Sequence, residues 1–338
     1  MKKFTVILAI SLIIPFLLNS CSKRNREKTV VVYVSEDRVF SEPVLKEFEK
    51  ETGIKVKAIY DTEENKSTGV MNRLIAEKNN PQADVYWANE PIRAEVLKQK
   101  GISQPYLSKN ARTIPDKFKD KDGYWTGFSA RARVFIVNKN SKEKPESILD
   151  YINPKWKGKC VIANPLFGTT TTEIAALFTL WGKEKTMDFL EKMKENKVLI
   201  STSNGESADL VAQGDYTFSL VDSDDAVNRI KQGKGVEIVY PDQKEGEIGT
   251  LILPNAVVLI KGAPHKKEGE KLIDFLLSPE TEQMLAKEDC AQIPLHKGVN
   301  PPSQLKEISK IKTMNIDYFE IAKKMIEIQP VLKKWIEN

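Results

Sequence analysis

The sequence predicts an α/β protein of two lobes, each a mixed, mainly parallel sheet flanked by helices, with a ligand cleft between the lobes. Strand-like and helix-like segments alternate along most of the 338 residues, which is typical of parallel sheets covered on both faces. The length corresponds to about two domains at the usual ~100–200 residues each. Two long β-rich runs, at 128–137 and 250–260, indicate that the chain crosses between the lobes more than once.

The first 21 residues have the features of an export signal that ends at a cysteine able to accept lipid. Two lysines precede an apolar stretch over residues 4–18, which ends in Leu18-Asn19-Ser20-Cys21. Pro15 interrupts this stretch, and it is shorter than the about 20 apolar residues that a membrane span needs. The pattern resembles that of bacterial lipoproteins. We predict a signal peptide over 1–20 and a lipid on Cys21; a retained anchor helix is the alternative.

Either alternative places the rest of the chain outside the cytoplasm, facing the periplasm or the cell exterior, and tethered to a membrane. Residues 21–28 are polar and charged without periodic apolar positions, so we predict a flexible tether there. The globular part follows it. Its first units are predicted as strands at 29–35, 54–60 and 83–87 and helices at 43–51, 69–77 and 91–100.

A second series of such units begins after Trp125-Thr126-Gly127-Phe128. Strands are predicted at 133–137, 160–163, 217–221 and 250–260, and helices at 171–181, 185–195, 208–213, 267–277 and 319–335. We assign residues 29–130 and 255–300 to lobe 1, and residues 131–254 and 301–338 to lobe 2. Ligands of open α/β sheets lie beyond the carboxyl ends of the strands, so the cleft is expected there.

Composition excludes several classes of protein. The 52 Lys and Arg against 47 Asp and Glu give a net charge of +5, without a basic tract, so nucleic-acid binding is not indicated.

Cys160 and Cys290 lack the neighbouring Cys or His that a zinc site requires, and we expect buried thiols. His265 and His296 are too far apart in sequence for a histidine-rich metal cluster. We expect a monomer.

Five segments in a shared order carry a resemblance to a known family. They are Val31-Val32-Tyr33-Val34-Ser35, Phe48-Glu49-Lys50-Glu51-Thr52-Gly53-Ile54-Lys55-Val56, Ala83-Asp84-Val85-Tyr86-Trp87, Ser129-Ala130-Arg131-Ala132-Arg133-Val134 and Pro254-Asn255-Ala256-Val257. Over residues 29–296 the chain resembles substrate-binding proteins of ABC importers, and the ferric-ion-binding subfamily in particular. The resemblance implies a two-lobed protein that closes over a solute and passes it to an ABC permease without catalysis.

The resemblance also implies positions for the ligands. Ferric-binding relatives often offer a polar side chain after the first strand, a glutamate after the Ala-Asp-Val strand and a tyrosine pair in the second lobe. This chain has Glu36 and Asp37, then Glu90, at the first two places. It departs from the pattern at the third, where Asp224 and Asp225 replace the tyrosine pair. A ring of carboxylates is therefore expected.

Converging carboxylates predict a cationic ligand, since they repel one another and resist desolvation unless a cation neutralises them. Oxygen donors favour a hard ion such as Fe(III), Mn(II), Mg(II) or Ca(II), and a polyamine would satisfy the same charges. The alternative for Asp224 and Asp225 is an ordinary helix start, where acidic side chains complement the helix dipole. For Glu36 and Asp37 the alternative is a solvated loop.

An anion subsite is predicted beside the carboxylates. Arg131 lies between apolar strand residues and needs an anionic partner, and Arg133 competes for this role. In ferric-binding relatives such an arginine can hold carbonate or another accessory anion. Thr169 and Thr170 open a helix, where free N–H groups and hydroxyls bind anions, and Ser203 could act likewise. Plain N-capping is the alternative for these hydroxyls.

Several cargoes fit the two subsites. The first is a hard, iron-like metal cation with an accessory anion; the others are a polyamine, an aminoalkyl phosphonate or a phosphorylated small molecule. A secreted hydrolase is less consistent with the sequence, which has no Gly-x-Ser-x-Gly and no His-Glu-x-x-His motif. We therefore predict a binding protein rather than an enzyme, with no required cofactor and the metal, where present, as cargo.

Overall fold

The computed structural model describes residues 28–61 and 69–337, so the predicted signal peptide and Cys21 lie outside the described residues. The strands are β1 (Thr29–Val34), β2 (Lys55–Tyr60), β3 (Val85–Ala88), β4 (Ser103–Gln104), β5 (Thr126–Asn138), β6 (Cys160–Ala163), β7 (Leu199–Ser201), β8 (Phe218–Asp222), β9 (Val236–Val239) and β10 (Ile252–Ile260). The α-helices are α1 (Arg38–Thr52), α2 (Gly69–Ala76), α3 (Pro91–Gln99), α4 (Gly168–Trp181), α5 (Lys183–Glu195), α6 (Asn204–Gln213), α7 (Ser223–Lys231), α8 (Lys266–Leu276), α9 (Pro279–Lys287) and α10 (Tyr318–Glu337). Short 3-10 helices cover Lys109–Thr113, Asp116–Phe118, Ile148–Ile152, Pro154–Trp156 and Ile308–Lys310.

The described strands form one curled mixed sheet. Its order is β2-β1-β3-β10-β5-β8-β6-β7, with β4 beside β10 and β9 beside β5. At one end β1 runs parallel to β2 and β3, and at the other β6 runs parallel to β7 and β8. In the middle, β10 is antiparallel to β3 and β5, and β5 is antiparallel to β8. Each end therefore has its own parallel set, as the sequence predicts.

Strand β5 belongs to both halves of the sheet. Its residues 126–132 pair with β10, whereas residues 133–138 pair with β8 and β9. All of its residues are buried. The change of partner falls between Ala132 and Arg133, so the segment predicted to cross between the halves is the one that does so.

The core is formed by apolar strands covered with helices. The consecutive side chains of Val32, Tyr33 and Val34 in β1, which alternate between the two faces of the sheet, are all fully buried, as expected where helices cover both faces of a parallel sheet. Helix α1 starts five residues before the predicted helix, so Pro43 lies inside it, where its ring removes a backbone hydrogen bond. The helix ends at Gly53 with φ +67°, as the sequence predicts.

Helix α10 at the carboxyl end of the chain packs against α3 and α4, which follow strands from opposite halves of the sheet. Cys160 and Cys290 are buried and unpaired, so the expectation of buried thiols is confirmed. Among the helices of the described ranges, none combines the length and the apolar character that crossing a bilayer requires.

Candidate functional site

A cavity of about 880 Å³ lies between the two halves of the sheet. Its wall is formed by the segments after β1, β3, β6, β7 and β8, together with α3, α10 and one residue of β5. The carboxyl ends of parallel strands from both halves therefore meet at one place, which is the usual position of ligands in open α/β sheets. Of the predicted site residues, those on the wall are Glu36, Asp37, Arg131, Thr169, Thr170, Ser203, Asp224 and Asp225.

Three aspartates gather at the start of α7. Asp222, Asp224 and Asp225 each offer a carboxylate oxygen, and these oxygens lie within 4.8 Å of one another. Asp222 occupies the N-cap position of α7, yet its side chain makes no capping hydrogen bond. It accepts hydrogen bonds from Arg133 over 3.0 Å and from Thr169 over 2.9 Å instead. The local signal for a helix start is therefore correct, but the carboxylates face the cavity.

The surroundings of Asp224 and Asp225 perturb the protonation of these two side chains. Burial raises the pKa of Asp224, an effect that Arg131 opposes and Asp222 reinforces. Burial, followed by repulsion from Asp224 and Asp222, also raises the pKa of Asp225. A carboxylate oxygen of Asp224 is buried without a hydrogen-bond partner. A positive charge beside these carboxylates would relieve both the repulsion and the missing contact.

The two arginines of β5 have different roles. Arg133 is fully buried. Its guanidinium group donates hydrogen bonds to Asp222, Thr169, Thr170 and the carbonyl of Leu220. Arg133 is not among the residues that line the cavity. Its role is to connect β8 to the start of α4 beneath the cavity wall.

Arg131, in contrast, lines the cavity. One of its nitrogens, Nη2, donates to the carbonyl of Asn89 over 2.5 Å, and Nη1 lies 3.8 Å from Asp222. Burial lowers the pKa of Arg131, but Asp222, Glu36 and Asp224 outweigh this effect and raise it. Its Nε is buried and has no hydrogen-bond partner. Arg131 is therefore a permanently charged group on the cavity wall with one buried donor that has no hydrogen-bond partner.

Four hydroxyl groups of the cavity wall fall into three kinds. Thr169 and Thr170 accept hydrogen bonds from Arg133 and also contact Asn204, so they are already part of a polar network. Ser203 caps α6 by accepting a bond from the N–H of Glu206, which matches the alternative given above. Thr171, which was not predicted, lines the cavity with a buried hydroxyl that has no hydrogen-bond partner.

The acidic residues of the first half lie at different depths. Glu36 is buried on the wall, where it accepts a hydrogen bond from Gln292 over 3.2 Å, and Asp37 is half-buried at the start of α1. Glu90 does not belong to the wall. It accepts a 2.9 Å hydrogen bond from Thr172 of α4 and lies 3.5 Å from Arg93, so it links α3 to α4 behind the cavity.

Other wall residues escaped sequence reasoning. Asn89, Arg93 and Asn164 are examples; Asn204, Asp222 and Thr171 also line the cavity, although they adjoin predicted residues and are not themselves among the predicted ligands. Asp222 lies two residues before the predicted Asp224, and its place as the last residue of the buried strand β8 is a usable signal in the sequence. Asn89 and Asn204 also follow strands, but their neutral side chains gave no indication of charge chemistry. With them included, the cavity has three more carboxylates than guanidinium groups: Glu36, Asp37, Asp222, Asp224 and Asp225 against Arg93 and Arg131.

Comparisons with known proteins agree with this geometry. The chain is 29% identical over 84% of its length to iron uptake protein A1 of Synechocystis, also covering 84% of that protein. It is 28% identical to a putative 2-aminoethylphosphonate-binding periplasmic protein of Salmonella typhimurium, over 76% of this chain and 74% of that one. Among solved structures, apo ferric ion-binding protein A of Pasteurella haemolytica superposes with a TM-score of 0.79 at 27% identity, covering 91% of this chain and 98% of that one.

These similarities confirm the predicted two-lobed α/β fold and the resemblance to the ferric-ion-binding branch. The model of the family described as bacterial extracellular solute-binding protein matches residues 44–313, which is most of the chain. Such proteins are the solute-capturing components of ABC importers. This chain belongs to the family of bacterial extracellular solute-binding proteins.

Proposed function

We propose that the protein captures a hard, iron-like metal cation together with an accessory anion such as carbonate. The observation that carries the proposal is the cluster of Asp222, Asp224 and Asp225, whose carboxylate oxygens lie within 4.8 Å of one another in the cavity wall. Without a cation, burial and mutual repulsion disfavour the charged forms. A hard cation removes both penalties and accepts oxygen donors.

The accessory anion would bind beside the aspartates, since Arg131 lies 3.8 Å from Asp222. Arg131 and Thr171 both line the cavity, and each has a buried donor without a hydrogen-bond partner. An oxyanion between them would satisfy both donors, and it would also complete the shell of the metal. The names of the relatives agree with iron as the metal, because they include an iron uptake protein of Synechocystis and a major ferric iron-binding protein of Neisseria meningitidis.

A second candidate is an aminoalkyl phosphonate or a phosphorylated small molecule. The same pair of unpartnered donors, Arg131 Nε and Thr171 Oγ1, favours it, because a phosphorus oxyanion accepts several hydrogen bonds. The aspartates would then pair with an amine instead of a metal. One relative is named as a putative 2-aminoethylphosphonate-binding protein. A polyamine would use the aspartates but leave Arg131 without an anion.

Native mass spectrometry of the purified protein before and after chelation separates these candidates. We expect a metal mass that chelation removes; a retained organic mass would select the second candidate. Calorimetric titration with Fe(III) supplied as citrate then tests the residues. Asp225→Asn should weaken binding at least about tenfold, whereas Asp188→Asn, at an exposed position on α5, should leave it unchanged.

Two further variants test the subsites. Arg131→Ala should weaken binding if the anion subsite is correct, and unchanged affinity would reject that subsite. Glu90→Gln tests whether this buried carboxylate reaches the cargo or only links α3 to α4. Wild-type affinity in both Asp225→Asn and Glu90→Gln would reject the carboxylate site.

We also propose the cellular setting that the sequence predicts. The chain is exported, carries lipid on Cys21, faces the periplasm or cell exterior as a monomer, and passes its cargo to an ABC permease. The lobes comprise 29–130 with 255–300, and 131–254 with 301–338.

The protein binds its cargo without chemical change. His296 is buried against Glu282 and the carbonyl of Asn110, and His265 pairs with Asp84. Neither histidine lines the cavity, which supports binding rather than acid–base catalysis.

A further inference from the structure

One wall of the cavity is apolar. Neither a bare cation nor an inorganic anion would gain binding free energy from contact with it. The wall consists of Ile92 and Val96 of α3, Leu166 and Phe167 ahead of α4, and Met325 and Ile326 of α10. On α10 the cavity-lining positions 322, 325, 326 and 329 follow the spacing of one helix face. The part of the wall on α10 is therefore one face of this helix, with Ala322, Met325 and Ile326 followed by the polar Gln329.

Two of these side chains are unusually exposed. Phe167 is 66% exposed and Ile326 is 68% exposed, and both are among the large exposed hydrophobic residues of the described chain. Leaving an aromatic or aliphatic side chain in water forgoes the free energy of burying it. Their position on the wall of the same cavity as Asp225 and Arg131 suggests that the cargo covers them.

The size of the cavity agrees with an organic occupant. Its volume of about 880 Å³ lies within the roughly 300–1,000 Å³ of pockets that enclose small organic molecules. A single metal ion with carbonate would leave most of this space, including the apolar wall, in contact with water.

We propose that the cargo has an organic body with an apolar part, which lies against Phe167, α3 and α10 while its charged head meets the aspartates and Arg131. The inference rests on the proposed function, because it places the head in that site. This chemistry has two sources: an organic chelate of the metal, or a zwitterionic phosphonate with an aromatic or aliphatic substituent.

Two pairs of probes distinguish the sources in calorimetric titrations of the purified protein. The metal pair is Fe(III) citrate and Fe(III) 2,3-dihydroxybenzoate; the organic pair is 2-aminoethylphosphonate and (2-amino-2-phenylethyl)phosphonate. The organic pair keeps the charged head and adds an aromatic ring, whereas the metal pair keeps Fe(III) and replaces an aliphatic chelator by an aromatic one. We expect the aromatic member to bind on the order of tenfold more tightly in the pair that the protein accepts.

Variants of the exposed wall residues localise the effect. Phe167→Ala and Ile326→Ala should weaken binding of the aromatic probe several-fold and leave its polar counterpart unchanged. Leu107→Ala is the matched control, because Leu107 is 78% exposed and does not line the cavity; it should change neither.

Equal affinity for the two members of the accepted pair would overturn the inference. The inference would also be overturned if Phe167→Ala and Ile326→Ala weakened the binding of both probes of the accepted pair equally. In that case the two side chains would contribute to closure of the lobes and not to contact with the aromatic ring. In either case the proposed function still holds as long as the polar probe binds. If none of the four probes binds, the proposed function is overturned as well.

Discussion

Asn255 donates a hydrogen bond from its side-chain Nδ2 to the backbone carbonyl of Ser129 over 2.7 Å. Ser129 has φ +41°, in a region that non-glycine residues rarely occupy. Its N–H donates to Oε1 of Glu282, also over 2.7 Å, and all three residues are fully buried. The register of β5 against β10 shifts between Pro254 and Asn255. Buried side chains thus hold the joining strand in a strained conformation, where the halves of the sheet meet.

The same asparagine connects this strand to the cavity. Its Nδ2 also donates to Oε1 of Gln292 over 2.8 Å, and Nε2 of Gln292 donates to Glu36 over 3.2 Å. Glu36 lines the cavity. A cargo that engages Glu36 would compete with Gln292 for this carboxylate, and we predict that closure of the lobes is coupled to this contact.

Replacing Ser129 tests the strain. Ser129→Gly should have a free energy of unfolding about 1 kcal/mol higher than Ser129→Ala, because glycine adopts positive φ without a Cβ penalty. The serine hydroxyl is buried without a partner, so both variants remove the same group and the alanine is a matched control. Urea unfolding provides the measurement, and equal stability of the two variants would show that Ser129 is not strained.

Closure of the lobes is the second prediction. Because β5 and β10 join the two halves, saturating Fe(III) citrate should draw them together and lower the radius of gyration. Small-angle scattering with and without this probe measures the change. In Gln292→Leu, which breaks the connection between Glu36 and Asn255, the compaction should be smaller. Identical wild-type profiles with bound cargo would indicate a rigid scaffold.

Much of the fold could be predicted because its signals are local. The β-branched run of β1, the helix stop at Gly53 and the long apolar run of β10 each determine their own conformation. Strand β7, of three residues, escaped prediction because so short a segment has little periodicity. Helix α9 was missed although Ser278 and Pro279 form an ordinary start.

The site was less predictable because its residues meet only in the folded chain. Position after a strand correctly placed Glu36 and Asp225 at one cavity, and Arg131 reaches the same cavity from within β5. The same rule gave no means to see that Glu90 faces Thr172 of α4, since this contact depends on how the two halves pack. The apolar face of α10 was likewise hidden, because nothing local indicates which surface its exposed residues cover.

Membrane attachment is the third prediction, and it concerns residues outside the described part of the chain. Cys21→Ser should abolish lipid labelling and release the protein from the membrane fraction, because the apolar segment over 4–18 is expected to be a cleaved signal. Fractionation and labelling of cells that express the two forms give the result. The buried Cys160→Ala is the matched control and should stay attached; unchanged labelling of Cys21→Ser would contradict a lipid at this position.

The last prediction concerns pH. The pKa values of Asp224 and Asp225 are raised in the folded protein by burial and by repulsion within the cluster. A raised carboxyl pKa means that the folded state holds its proton more firmly than the unfolded chain. These two carboxyl groups therefore make their full contribution to the stability of the folded state below the ordinary aspartate pKa of about 4. This contribution is lost as the pH rises through their raised pKa values. The cargo-free protein should become less stable, from this cause, between acidic and neutral pH.

Asp225→Asn isolates this contribution, because its amide does not titrate. The fall in the free energy of unfolding with pH should be smaller in this variant than in the wild type, whereas Asp188→Asn, at an exposed position, should behave as the wild type. Urea unfolding in the presence of a chelator gives the values. A cation competes with the protons for the same oxygens, so affinity for Fe(III) citrate should rise over the same pH range. The same pH dependence in Asp225→Asn and the wild type would mean that this carboxyl group does not titrate in the cavity.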